Sequence, residues 1–147
     1  MNEDLSEFLS SLKSHRVEFL VIGAHAVGFY SRPRMTQDFD VWVGRSRDNS
    51  ERLRAALDEF GMPIGVEGVR RFAELDRQMV RLGVPPNMVD ILNFAGDVPF
   101  DEVFKRRVQG SIDGIELEFP SKEDLIAMKR DAGRKQDLAD IETLEKS

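Results

Sequence analysis

Three aspartates are the residues of this chain best suited to chemistry: Asp38 and Asp40 in DFDVWV, and Asp90 in MVDILN. Side chains alternate faces along a β-strand, so Asp38 and Asp40 project together while Phe39 and Val41 pack on the other side. Two carboxylates held side by side repel each other unless a cation relieves them. Hard oxygen donors at that spacing suit magnesium or manganese. Asp90 is costly to bury inside an apolar strand unless it is paired, metal-bound or hydrogen-bonded. If its strand lies beside the Asp38/Asp40 strand, about 4.8 Å away, the three acids converge. They would then suit two divalent ions about 3.5–4 Å apart. Such a pair can bind a nucleoside triphosphate, activate an attacking hydroxyl and stabilise a departing pyrophosphate. The competing reading of each acid alone is a solvated strand residue.

Other residues could complete such a site. Gly23-Ala24 follows an apolar run and precedes a short helical segment. Glycine admits close backbone approach, and the helix start offers free N–H groups to phosphate; a plain strand-to-helix turn is the alternative. Lys129 falls on the apolar side of its helix with Leu125, Met128 and Ala132. An inward lysine meets an anion or snorkels to a polar edge, so a triphosphate and a structural salt bridge are both open. Arg134 and Lys135 follow that helix, and Arg32 and Arg34 precede the Asp pair; each is a candidate phosphate contact or a solvated cation. Asp137 and Asp140 have helix-start spacing, with capping ahead of a site role. His25 follows the glycine turn, where a local partner is the commoner fate, and His15 at a helix end is favoured by the dipole alone. Trp42 reads as core. No Walker loop, G-x-G-x-x-G or Ser/His/Asp arrangement is visible.

The elements that must position these residues can be read from hydrophobic spacing. Leu5, Phe8, Leu9 and Leu12 form the apolar stripe of a helix over Asn2–Arg16. Val17–Ile22 reads as a strand buried on both faces, Ala24–Tyr30 as a short helix ended by Arg32-Pro33-Arg34, and Gln37–Val43 as the second strand. Asp48 and Glu51 have capping-box spacing for a helix to Phe60, with Leu53, Ala56, Leu57 and Phe60 on one face. Gly61–Gly68, rich in glycine and carrying Pro63, reads as an exposed loop; Phe72–Arg77 shows no clear period. Met79–Leu82 and Met88–Asn93 read as strands joined by a turn at Pro85-Pro86-Asn87. Pro99–Arg106 reads as a short helix, and Val108–Phe119 as a hairpin turning at Asp113-Gly114. Ser121 with Asp124 caps a helix to about Ala132, and a last helix packs Leu138, Ile141 and Leu144.

The chain has 147 residues, 41% hydrophobic and 33% charged, which suits one globular domain over 1–147. No internal repeat, linker or low-complexity segment appears. No apolar run approaches the roughly 20 residues that span a bilayer. The acidic amphipathic start is unlike a secretory leader, so no membrane role and a cytoplasmic location are the expectations. Cysteine is absent, which excludes disulfides, thiolate catalysis and cysteine-ligated zinc. A net charge of −6 argues against a surface that coats nucleic acid.

Taken together, strand–Gly23-Ala24–helix, Asp38-Phe39-Asp40 and Asp90 resemble the nucleotidyltransferase superfamily that includes DNA polymerase β, especially its minimal members. The ending LIAMKRDAGRKQDLADIETL is similar to small bacterial relatives linked to the abortive-infection toxin group. The resemblance runs from Val17 to Leu144 and departs at Ala24, where Gly or Ser is usual. It implies an α/β (α+β) fold, a small mixed sheet flanked by helices. It also implies transfer of a nucleoside monophosphate from a triphosphate such as ATP to an acceptor hydroxyl, with release of pyrophosphate. Asp38, Asp40 and Asp90 would be the catalytic metal ligands, holding two Mg2+ or Mn2+ ions, and Asp90 would help draw the acceptor's proton. Gly23, Ala24, Arg34, Lys129 and Arg134 would contact the nucleotide. The acceptor, whether protein, RNA or small molecule, is left open. So short a chain makes a homodimer or a partner protein an expectation. The alternative is a weak or inactive binding partner, such as one half of a toxin–antitoxin pair.

Overall fold

The computed structural model describes residues 2–33, 36, 38–84 and 88–147. The expected turn at 85–87 and the candidate contact Arg34 lie outside them. The first helix, α1 (Glu3–Ser14), is capped by the Asn2 side chain, which accepts from the Leu5 N–H at 2.8 Å. Its inward stripe is Phe8, Leu9 and Leu12, as the spacing demands. Strand β1 (Phe19–Ile22) runs straight into α2 (Gly23–Tyr30), and β2 (Asp38–Val43) follows. All four β1 residues are buried. Although β1 ends the sheet order, the hairpin strand β6 (Ile115–Phe119) lies against it.

Helix α3 (Arg47–Phe60) buries Leu53, Ala56 and Leu57 and stops at Gly61, whose φ of 87° is the left-handed conformation glycine takes without strain. Its cap corrects the reading from Asp48. Ser46 accepts from the Asn49 N–H at 3.0 Å, and buried Asn49 uses its own amide to bridge Glu18 and Gly44. The expected loop over 61–68 is also corrected: helix α4 (Gly65–Glu74) begins inside it. Val69 and Phe72 supply its buried face, and Gly68 lies so close to Ile64 that an added Cβ would meet that residue's Cβ at 2.5 Å. Here glycine marks tight packing rather than a turn.

Strands β3 (Met79–Leu82) and β4 (Met88–Leu92) complete a four-stranded sheet in the order β1-β2-β4-β3. β2 pairs β1 antiparallel and β4 parallel, while β3 pairs β4 antiparallel. The sheet is therefore small and mixed. After α5 (Phe100–Lys105), β5 (Val108–Ile112) and β6 form the expected hairpin. It turns through Asp113 and Gly114 at φ 51° and 82°, the paired positive values of a tight two-residue turn. Phe29 of α2 stacks on Phe119 of β6 with ring centroids 4.2 Å apart, and Trp42 packs edge-on against Phe100 at 5.1 Å.

Helix α6 (Lys122–Ala132) is capped by Ser121 and stopped by Gly133; α7 (Lys135–Glu145) then packs against it. Ile141 and Leu144 are buried as expected, but Leu138 is 57% exposed. The inward face of α7 is instead Asp137, Asp140, Ile141 and Leu144, a helical i, i+3, i+4, i+7 pattern. Two acids occupy the face that hydrophobic spacing had assigned to leucine. No helix among the described residues is long and apolar enough to cross a membrane.

Candidate functional site

β4 lies beside β2, and the register sets Asp40 opposite Asp90. The same row continues in both directions. Ile22 is opposite Asp40 on one side, and Arg81 of β3 is opposite Asp90 on the other. Four strands thus deliver Ile22, Asp40, Asp90 and Arg81 to one line across the sheet. Asp38 stands two residues before Asp40 on the same face, because strand side chains repeat every two positions. All five residues line one cleft of about 660 Å³, whose far wall is α6 and the start of α7.

Gly23 is explained by Asp40. Its φ is 72°, and a Cβ there would lie 2.1 Å from Asp40 Oδ2, so only glycine both makes the turn and leaves room for the carboxylate. Helix α2 starts at this point with no side-chain cap. Its first N–H groups and positive dipole end consequently lie close to the acid row. Ala24 is part of that first turn and half-buried.

The electrostatics of the row are uneven. Burial, then Asp90 and Asp38, push the Asp40 carboxyl up to about 6; Lys129 and Arg81 offset this only in part. Asp38 Oδ1 is buried without a hydrogen-bond partner. Asp90 has the opposite fate. Arg81 donates to both of its oxygens, Nε to Oδ1 at 2.7 Å and Nη2 to Oδ2 at 2.9 Å, and reaches Asp38 Oδ2 at 3.8 Å. That two-pronged fork holds Arg81 still more firmly in its charged form, through the hydrogen bond first and Coulomb attraction second.

The donor set fits a hard divalent cation: carboxylate oxygens on one face, one of them an open buried acceptor, and an Asp40 short of compensating charge. No three acids or histidines among the described residues stand grouped closely enough to hold an ion as they are, and Asp90 is paired with Arg81. Asp38 and Asp40 are the pair open to one.

Lys129 lies in the cleft, yet its amine is engaged. Nζ is 3.1 Å from Asp140 Oδ2 and 3.5 Å from Asp137 Oδ1, and both acids are 1% exposed. Of its two sequence readings, the salt bridge is the one present. Arg134 is largely exposed and donates to Asp137 through its backbone N–H at 3.2 Å and its Nε at 2.6 Å. Asp137 therefore closes the start of α7, as the capping reading expected, and Gln136 donates to Asp140 at 2.9 Å. Burial alone would raise the Asp137 pKa. The Arg134 hydrogen bonds outweigh it and leave the group below the usual carboxylate range.

Other candidates fall away from the acids. Arg32 is exposed and lines a separate groove with Tyr30 and Lys146, and Lys135 is exposed at the start of α7. His25 packs its ring 4.6 Å from that of Phe39, with burial holding its pKa below the usual value. His15, at the end of α1, pairs with Glu59 of α3. Two contributors were not read from the sequence. Arg81 is the first; a period-2 pattern over Met79–Leu82 places it on a face but cannot say which strand it will meet. The second is the segment after β4. There Asp131 of α6 accepts from the Asp97 N–H at 2.7 Å, and Arg77 donates to Asp97 at 2.8 Å, so Asp97 is tied both to α6 and to Arg77.

Residues 1–147 match the family described as "Nucleotidyl transferase of unknown function (DUF2204)". Among solved structures, the chain is similar to the lincosamide antibiotic adenylyltransferase LnuA in its lincomycin-bound crystal form. The TM-score is 0.56 at 12% identity, covering 99% of this chain and 96% of that one. At that identity the likeness concerns the fold. No curated protein matches.

Proposed function

The chain belongs to the nucleotidyl transferase family DUF2204, and from that premise we propose that it moves a nucleoside monophosphate from a nucleoside triphosphate to the hydroxyl of a small molecule. The observation that carries this reading is the in-register pairing of Asp40 with Asp90 on adjacent parallel strands, with Asp38 on the same face of one cleft. In the reaction the acceptor oxygen bonds to the α-phosphorus and the bond from that phosphorus to the bridging oxygen breaks. Pyrophosphate leaves with the electron pair, and the hydroxyl proton passes to a carboxylate of the row or to water.

Asp38 and Asp40 would hold divalent magnesium or manganese, with Asp90 as the third ligand. When bound, such ions supply Lewis-acid charge to the reacting phosphoryl group and to the leaving group. This chain's own contribution is placement and electrostatics. Gly23 gives Asp40 its room, and the uncapped start of α2 presents N–H groups to the phosphates. Arg134, exposed at the cleft edge, adds a cation for the triphosphate. Lys129 keeps two buried acids neutralised beneath the site, and its charge also favours the ionised form of Asp40.

A small-molecule acceptor suits the cleft better than nucleic acid. The chain's net charge of −6 disfavours a long polyanion as acceptor, whereas the triphosphate would be held through the ions. LnuA, whose crystal form holds lincomycin, is a fold-level precedent for a small acceptor. The test is incubation of the protein with Mg2+, α-labelled nucleoside triphosphates, and two acceptor sets: hydroxyl-bearing small molecules and short RNAs. Label should move to a small molecule and fail to move with Asp38→Asn or Asp40→Asn. Transfer that survives both substitutions, or label found only on RNA, would contradict the proposal.

A further inference from the structure

The position of Arg81 raises a question the family assignment does not answer, namely how Asp90 can serve as a metal ligand while both its oxygens accept from a guanidinium. We propose that Arg81 is a two-position residue, paired with Asp90 until divalent ions take that carboxylate and then moving to the phosphates of the triphosphate. The inference rests on the metal-dependent reading above and goes beyond it, by giving a named residue to the coupling between ion and nucleotide.

The competition follows from geometry. Asp90 is 8% exposed at its side chain, so an incoming cation reaches its oxygens only through the cleft, from the side where Arg81 already stands. Arg81 also lies 3.8 Å from Asp38 and therefore covers the gap between the first and third acids of the site. A guanidinium cannot leave by losing its proton. When an ion displaces it, it remains a cation and must find another anion or return to water. Arg81 has the freedom to do either, since its side chain is 48% exposed and β3 is the outer strand of the sheet. The nearest anion in a loaded cleft is the triphosphate, whose oxygens match the same planar fork.

Without nucleotide, Arg81 competes with the ion and lowers metal affinity; with nucleotide, it adds a phosphate contact and raises the affinity of the pair. Ion and triphosphate then bind cooperatively, and the site discriminates against ions arriving alone. A purely structural ion pair between Arg81 and Asp90 would also oppose the ion, but its removal would leave the triphosphate affinity in saturating ions unchanged.

The experiment is calorimetric titration of Mn2+ into wild-type protein, Arg81→Gln and Arg81→Lys. It is run without nucleotide and again with a non-hydrolysable triphosphate, with circular dichroism to confirm that each variant is folded. Arg81→Lys guards against misfolding of the glutamine variant, because it keeps a charge beside Asp90 while losing the two-pronged fork. Arg81→Gln should bind Mn2+ alone about tenfold more tightly than wild type, a step worth one bidentate charged contact. Its triphosphate affinity in saturating Mn2+ should fall by about the same factor. The lysine variant should fall between on the first measurement and match glutamine on the second. Unchanged or weaker Mn2+ binding in both variants, with wild type binding normally, would overturn the role of Arg81 and leave the metal reading intact. Absence of Mn2+ binding by wild type, with and without nucleotide, would overturn both.

Discussion

The Asp40 carboxylate fills the space that a side chain at Gly23 would need: a Cβ on the glycine would lie 2.1 Å from Asp40 Oδ2. The residue that follows β1 and opens α2 is thus set by the acid on the neighbouring strand. Gly23→Ala should lower stability by about 1–3 kcal/mol from the left-handed backbone alone, and by more once the carboxylate is pushed aside. Thermal unfolding checks the first effect. Loss of divalent-ion binding, with no charge having been changed, checks the second.

Asp40→Asn should make the protein more stable at neutral pH, at the expense of function. A carboxyl raised from 3.8 to about 6 binds its proton more tightly in the folded state than in the unfolded one. The folded protein therefore holds the extra proton between those values, and stability falls as pH climbs from about 4 to about 6 and stays reduced above. Removing the charge should recover about 3 kcal/mol at pH 7. Denaturant unfolding at pH 4 and pH 7, without divalent ions, should show the gain at the higher pH alone.

Lys129→Met should cost about 3 kcal/mol, because two buried carboxylates lose a shared cation. Adding Asp140→Asn to it should return part of that loss, since one of the stranded charges is then gone. A double-mutant cycle by urea unfolding measures the coupling; additive effects would mean that the amine does not serve Asp140.

Much of the site was legible because it depends on short-range rules. Period-2 alternation placed Asp38 and Asp40 on one face, a glycine after an apolar run located the strand-to-helix turn, and an acid within MVDILN marked Asp90. Arg81 was not legible, for a reason of the same kind: its partner is set by how β3 slides along β4, and register is a tertiary quantity. Composition misled at residues 61–68, where Gly68 is needed for contact with Ile64 rather than for a turn. Leu138 was assigned inward because leucine outranks aspartate on any hydrophobic scale. Lys129 and Arg134 reverse that order by neutralising Asp137 and Asp140 on the buried face.

The most direct measurement is calorimetric titration of Mg2+ together with a nucleoside triphosphate into wild type and into a protein carrying Asp38→Ala and Asp40→Ala. Wild type is expected to bind the pair and the double variant, still folded, to lose it. Equal binding by both proteins would contradict the assignment of the acid row as the metal and nucleotide site.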